Sequence, residues 1–130
     1  MKISFGSLIF PFAVVAVAVP LSTRANLQYT GDITHYSTGL GSCGITNRDT
    51  DAIVALSVPM MDNGANPNTN PLCGKTISVF NPTTGTTTQA TVVDTCQACA
   101  YADVDMSPTL FTTVAPTGNG RVQGIEWGFN

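Results

Sequence analysis

Charge is scarce in this sequence. Only 10% of its 130 residues are charged, five Lys and Arg against eight Asp and Glu, for a net charge of −3. So few cations exclude the basic patch with which a nucleic-acid binder neutralises phosphates. Histidine and tryptophan occur once each, at His35 and Trp127. No G-x-S-x-G turn supplies a serine for His35 to activate, so its expected role is packing or a rim hydrogen bond. No Asn-x-Ser/Thr acceptor exists, because Asn81-Pro82-Thr83 carries the forbidden proline, and N-glycosylation is not expected. The length leaves room for one domain, with or without an export signal.

Unbroken apolar runs are also missing. Met1-Lys2 gives one positive charge, and residues 3–21 carry none, but Pro11 and Pro20 interrupt the stretch. A membrane anchor needs about 20 consecutive apolar residues. Residues 1–25 therefore read as a secretory signal peptide, with small residues offering cleavage after Ala18 or after Ala25. Taking Asn26 as the start, residues 26–130 form the expected secreted, extracellular domain, free of the membrane once the signal is cut. Its cations are Arg48, Lys75 and Arg121 against the same eight acids, a net charge of −5.

A chain this short buries only about 60–68% of its unfolded surface, so covalent help is expected. All four cysteines, Cys43, Cys73, Cys96 and Cys99, lie beyond the signal. An even number in an oxidising compartment makes two disulfides the default, with three pairings possible. Cys96-Gln-Ala-Cys99 has a spacing that can be redox-active, but in an acidic secreted domain without a βαβ pattern it reads as a local structural disulfide. Zinc would need all four cysteines and leave nothing to staple the domain, so neither metal nor cofactor is expected.

Eighteen threonines in residues 26–130, together with many Val, Ile and Gly, favour pleated strands over helix. Strands are predicted over Gln28–Ser37, Ala52–Val58, Lys75–Phe80, Thr86–Val93 and Arg121–Phe129, with a hairpin turn at Asn81–Gly85. The last strand alternates Ile125, Trp127 and Phe129 with Gly124, Glu126 and Gly128. Between Met61 and Cys73 only turn formers occur, which predicts a surface loop. Ser107 as N-cap and Pro108 at the first helical position predict a short helix burying Leu110, Phe111 and Val114.

At an offset of 50 residues Val54-Ala55-Leu56-Ser57 lies over Val104-Asp105-Met106-Ser107, as a pseudo-twofold barrel would produce. Ala55 corresponds to Asp105, so the carboxylate is not demanded by the fold. Gly39-Leu-Gly-Ser-Cys-Gly44 fits the letters of a dinucleotide loop, but a disulfide cysteine inside it and no strand–helix context point to a tight turn. The carboxylates Asp94, Asp103 and Asp105 are the candidate chemistry. Two acids converging on a groove can do general acid and base work on a glycosidic bond; otherwise Asp94 orders a turn and Asp103 and Asp105 favour the helix N-terminus. Tyr29, Tyr36, Tyr101 and Trp127 are the aromatics able to stack on a sugar, with Trp127 assigned to the strand pattern.

Taken together, Gly31-Asp-Ile-Thr34-His-Tyr36, Gly41-Ser-Cys43-Gly44, Cys73-Gly74, Val92-Val-Asp94-Thr-Cys96 and Asp103-Val-Asp105-Met-Ser107-Pro108 resemble the expansin-like double-psi β-barrel superfamily. The sequence is most similar to the small fungal loosenins, and more distantly to rare lipoprotein A, barwin and glycoside hydrolase family 45. The resemblance implies an all-β, six-stranded double-psi barrel with one or two short helices and a shallow polysaccharide groove. It implies pairing of Cys43 with Cys73, which leaves Cys96 with Cys99. By motif, Asp105 takes the general-acid position, Asp94 is the aspartate ending the preceding strand, and Thr34 and Tyr36 face the groove; Asp103 and Tyr101 complete the expected binding set. In family 45 a catalytic base follows the first-strand tyrosine by two positions, where this sequence has Thr38. Asp103 stands where plant expansins have histidine, Cys96 where some bacterial expansins have a groove tyrosine, and the second carbohydrate-binding domain is absent.

The expectation is a monomeric secreted protein that binds cellulose, chitin or a related cell-wall polysaccharide and loosens it without hydrolysis. The alternatives are a lytic transglycosylase or weak glycosidase with Asp105 as acid, and a protease inhibitor or defence-type binding module using loops such as Asp62–Pro71.

Overall fold

The structure, a computed structural model, describes Gly6 and residues 27–130. The signal-peptide reading and both cleavage sites otherwise fall outside the described residues.

Six strands form: β1 (Tyr29–His35), β2 (Ile53–Ser57), β3 (Thr76–Asn81), β4 (Thr86–Cys96), β5 (Val104–Met106) and β6 (Arg121–Phe129). They close into a barrel in the order β1-β5-β2-β4-β3-β6. β1 runs parallel to β5 and β2 parallel to β4, and the remaining contacts are antiparallel. Closure leaves no unpaired sheet edge. Two short helices follow β2 and β5: α1 (Val58–Met61) and α2 (Pro108–Val114).

The period-2 pattern explains the interior. Ile33, Val54, Leu56, Ile77, Val79, Val92, Val104, Met106, Ile125 and Trp127 all point inward and are fully buried. Each such side chain stabilises the fold by about 1.5–3 kcal/mol relative to exposure. Trp127 seals one end, its Nε1–H donating to the Ala102 carbonyl at 2.8 Å. At the other end α2 lays Leu110, Phe111 and Val114 on the barrel, as its cap and apolar spacing predict. The Asn81–Gly85 turn forms, with Gly85 N–H donating to Asn81 C=O at 2.8 Å and Gly85 at φ +73°, where only glycine is unstrained.

β1 is shorter than the predicted Gln28–Ser37 and β3 is shifted by one residue from Lys75–Phe80, and the structure differs more substantially in four other places. The strand predicted to reach Val58 ends at Ser57, whose hydroxyl accepts Met60 N–H and starts α1. β4 runs on to Cys96, so Asp94 lies within the strand: Thr95 and Cys96 stay paired with Leu56 and Ser57 of β2. β5 has only three residues, too few for a visible period. The loop after Met61 contains a 3-10 turn over Pro67–Thr69 and buries Asn70, whose Nδ2 donates to Met61 C=O at 2.8 Å. Cys43–Cys73 ties this loop to the β1–β2 connection, and Cys96–Cys99 closes the turn before β5.

The 50-residue repeat is a structural symmetry. β2 and β5 are antiparallel neighbours with Ala55 directly opposite Asp105, and each is followed by a serine-capped helix.

Candidate functional site

Register builds the site. Thr34 on β1 pairs with Asp105 on β5, Asp105 with Ala55 on β2, and Ala55 with Asp94 on β4. Residues directly opposed across strands share a face, so these four form one row on the outside of the barrel. At about 4.8 Å per strand the backbones of Asp105 and Asp94 stand some 9–10 Å apart. Between them is Ala55, whose methyl is the only side-chain group that this strand places in the row.

A bulge brings Asp94 there. Val54 pairs with Val92 but Ala55 with Asp94, so Val93 is an extra residue in β4. A bulge re-aims the following side chain; without it Asp94 would point with the opposite parity. The freed Val93 carbonyl accepts Cys43 N–H at 3.2 Å. Gly41 packs so closely here that a Cβ would lie 2.4 Å from the same oxygen, so only glycine fits.

The carboxylates differ in what holds them. Asp94 Oδ1 accepts the Ser42 and Thr95 N–H groups, both at 2.8 Å. Asp105 Oδ1 accepts the Thr34 hydroxyl at 2.9 Å. Burial pushes the Asp105 carboxyl above the usual carboxylate range, and neighbouring Asp94 adds to this; the Thr34 bond, His35 and the Met106 N–H oppose it. Tyr36 belongs to the same group. Its hydroxyl is raised well above the ordinary phenol range by burial first, then by Asp94 and Asp105, and it lies within hydrogen-bonding reach of Asp94. It is therefore a neutral donor facing two acids.

Asp103 shares the outer face with Asp105, two residues on, but both its oxygens are engaged. Oδ1 accepts Asp32 N–H at 3.0 Å and Oδ2 accepts Ala100 N–H at 3.1 Å. Arg121 bridges to Asp32 at 2.9 Å and lies 3.7 Å from Asp103. Tyr101 is exposed, on the turn before β5, edge-on to Tyr29 at 6.1 Å; Tyr29 in turn lies on Trp127 at 4.7 Å. Trp127 itself is buried, as its strand pattern predicts. His35 packs on Phe111 at 4.9 Å.

Thr38 is not alone at its position. Its N–H and its hydroxyl both donate to Asp49 Oδ1 at 2.8 Å, bonds that hold the Asp49 carboxyl below the usual range. Asp49 and the Val93 bulge are features that sequence reasoning did not find; each depends on a partner in another segment. Two depressions, of about 360 Å³ over Pro108, Thr109, Thr112 and Thr113 and about 430 Å³ among Leu27, Phe80, Pro82 and Glu126, lie away from Asp105. Among the described residues no group of three or more His, Cys, Asp or Glu is arranged to hold a metal ion.

The Barwin family pattern matches residues 55–126, from β2 into β6. The chain belongs to the Barwin family. The papain inhibitor of Streptomyces mobaraensis is 34% identical, over 78% of this chain and 71% of its own length. The solved structure of the Streptomyces papain inhibitor matches with a TM-score of 0.69, covering 77% of this chain and 91% of that one. An Arthroderma benhamiae protein, an Allergen Asp f 7 homolog, is 38% identical over 77% of this Barwin-family chain, which spans only 38% of that allergen's length. A mutant Clavibacter michiganensis expansin solved in complex with cellohexaose is 25% identical, with a TM-score of 0.60 over 78% of this chain and 50% of its own. The chain is thus an expansin-like double-psi barrel.

Proposed function

We propose that this Barwin-family chain is a secreted protein of the loosenin kind, which binds cell-wall polysaccharide and weakens contacts between chains without cutting them. The row Thr34, Asp105, Ala55, Asp94 under Tyr36 carries the reading. It presents a half-buried carboxyl and a neutral phenol donor close to a second acid, with only the Ala55 methyl between the two carboxylates.

Such a face exchanges hydrogen bonds with sugar hydroxyls. Burial raises the Asp105 carboxyl, so it protonates more readily than an ordinary aspartate and then donates as well as accepts there; in its ionised form each charge-assisted bond contributes about 1.5–3 kcal/mol. That strength competes with hydroxyl–hydroxyl contacts between neighbouring chains of cellulose or chitin. Hydrolysis needs in addition a base to activate water. The base position is Thr38, and the carboxylate bonded to it, Asp49, is held below its usual range and so accepts protons poorly.

The test compares the protein with Asp105→Asn on cellulose and chitin fibres, measuring fibre weakening and soluble products by mass spectrometry. Weakening without products, lost in the variant, is the expected result. Anhydro-sugar ends that vanish in the variant would assign a lytic transglycosylase instead, and equal weakening by both proteins would overturn the role of Asp105.

A second reading is inhibition of a papain-type cysteine protease. It is supported by the 34% identity to a papain inhibitor whose solved chain is covered to 91%. Inhibition unaffected by Asp105→Asn would assign it.

A further inference from the structure

We propose that the loop of residues 39–46, between β1 and β2, is a pre-formed docking loop for the cleft of a papain-type cysteine protease, with Leu40 and Ile45 as its apolar anchors. The proposal rests on the second reading above and adds to it the surface that would carry it.

Leu40 is 74% exposed and Ile45 47% exposed. One exposed aliphatic side chain is ordinary on any surface. Here two stand on the same short turn, Leu40 paired with Thr46 and Ile45 opposite Gly41, so that the turn offers an aliphatic side chain on each of its faces. No residue from Gly39 to Asn47 is charged, although the chain as a whole is acidic.

The loop is held rigid from below. Gly41 N–H donates to Ile45 C=O at 3.0 Å, Gly44 N–H to Gly41 C=O at 2.9 Å, and Asn47 N–H to Gly39 C=O at 3.0 Å. Cys43 N–H and Ser42 N–H bind β4 at Val93 C=O and Asp94 Oδ1, and Cys43 is bridged to Cys73. Gly44, at φ +80°, lies against Asn68 of the neighbouring loop. These contacts fix the backbone while leaving the two aliphatic side chains in water. A loop ordered before binding loses little entropy on docking, and an exposed aliphatic side chain gains burial energy when it leaves water for a pocket.

The Asn-rich segment Asp62–Pro71 offers no comparable surface. Its Asn63, Asn66 and Asn70 side chains are engaged within the loop and with Thr95, and it exposes no large apolar group.

The experiment is a papain inhibition assay on a fluorogenic peptide with the protein and its Leu40→Asp, Ile45→Asp and Thr112→Ala variants. Both loop substitutions replace exposed side chains, so melting temperatures should be unchanged and serve as the folding check. The expected result is inhibition by the wild type, weakened about a hundredfold or more by each loop substitution, a loss of at least two tenfold steps, and changed no more than about twofold by Thr112→Ala, on the exposed face of α2. Wild-type inhibition that survives both loop substitutions would overturn the docking loop and leave the inhibitor reading standing. No inhibition by the wild type would overturn the inhibitor reading and the loop with it.

Discussion

The Ser57 hydroxyl donates to the Tyr101 carbonyl at 2.8 Å, and the Ser107 hydroxyl donates to the Asp51 carbonyl at 2.5 Å. Tyr101 stands to Asp51 as Ser107 stands to Ser57, 50 residues further on, so the two bonds exchange under the barrel's pseudo-twofold. Each serine also caps its own helix, accepting Met60 N–H at 3.2 Å or Leu110 N–H at 3.4 Å. Both side chains are fully buried. One hydroxyl thus starts a helix in its own half and holds the turn that leads into the strand of the other half.

Replacing either serine by alanine removes a cap and a partner for a distant carbonyl. Each of Ser57→Ala and Ser107→Ala should destabilise the protein by about 1–3 kcal/mol. Thr112→Ala, on the exposed face of α2, should stay within about 0.5 kcal/mol. Urea unfolding of the three variants checks this, and equal midpoints for the serine and threonine variants would refute the paired role.

The disulfides differ in how much chain they close. Cys43–Cys73 spans 30 residues and Cys96–Cys99 spans 3. Loop-closure entropy gives about 3.7 kcal/mol for the first and about 1.9 kcal/mol for the second. The Cys43→Ala/Cys73→Ala double variant should therefore melt well below Cys96→Ala/Cys99→Ala, and calorimetry of the pair measures the gap. The longer bridge also holds the 39–46 loop, so its loss should increase amide exchange at Gly41 and Gly44.

Much of this architecture was legible because it depends on local chemistry. The alternation of Ile125, Trp127 and Phe129 marks β6, which runs from Arg121 to Phe129 as predicted, and Ser107-Pro108 marks the start of α2. The disulfide pairing came from family resemblance, since composition left three choices. Other features depend on contacts distant in sequence. Two adjacent valines, Val92 and Val93, look like ordinary strand, and only the pairing with β2 makes one of them a bulge. Val104–Met106 is too short to show a period, although its likeness to Val54–Leu56 pointed to it. Asp103 is held through both oxygens, by the Asp32 and Ala100 N–H groups, and the bond to Asp32 spans 71 residues. Asp49 is 11 residues from Thr38, with no spacing rule to connect them.

Ala55 tests the groove from the symmetry side. It occupies the place of Asp105 in the other half and is 2% exposed, between the two carboxylates. Ala55→Val adds two methyl groups where Tyr36 faces both acids, and overpacking of this kind costs about 1–3 kcal/mol. With the row reshaped between the two acids, binding to cellulose or chitin should fall at least about tenfold, a binding loss of about 1.4 kcal/mol. A circular dichroism spectrum matching wild type keeps the result interpretable, and undiminished pull-down on fibres would place the binding face elsewhere.

Asp105 and Asp49 should respond to pH with opposite signs. Asp105 has a raised folded-state pKa, so the stability tied to its protonated form is present below the unfolded value of 3.8 and is lost as pH rises through the folded value. Asp105→Asn, which keeps an acceptor for the Thr34 hydroxyl, should therefore raise the melting temperature at pH 7 and lose that advantage towards pH 3. Asp49 has a lowered folded-state pKa from its two Thr38 bonds, so its contribution is present above 3.8 and is lost as pH falls through the folded value. Asp49→Ala should melt lower than wild type at pH 7, with the gap closing in acid. Thermal melts of both variants from pH 2.5 to 8 give the two curves. Parallel curves would mean that burial of Asp105 does not set its ionisation, and would remove the case for a protonated hydroxyl-exchanging carboxyl in the groove.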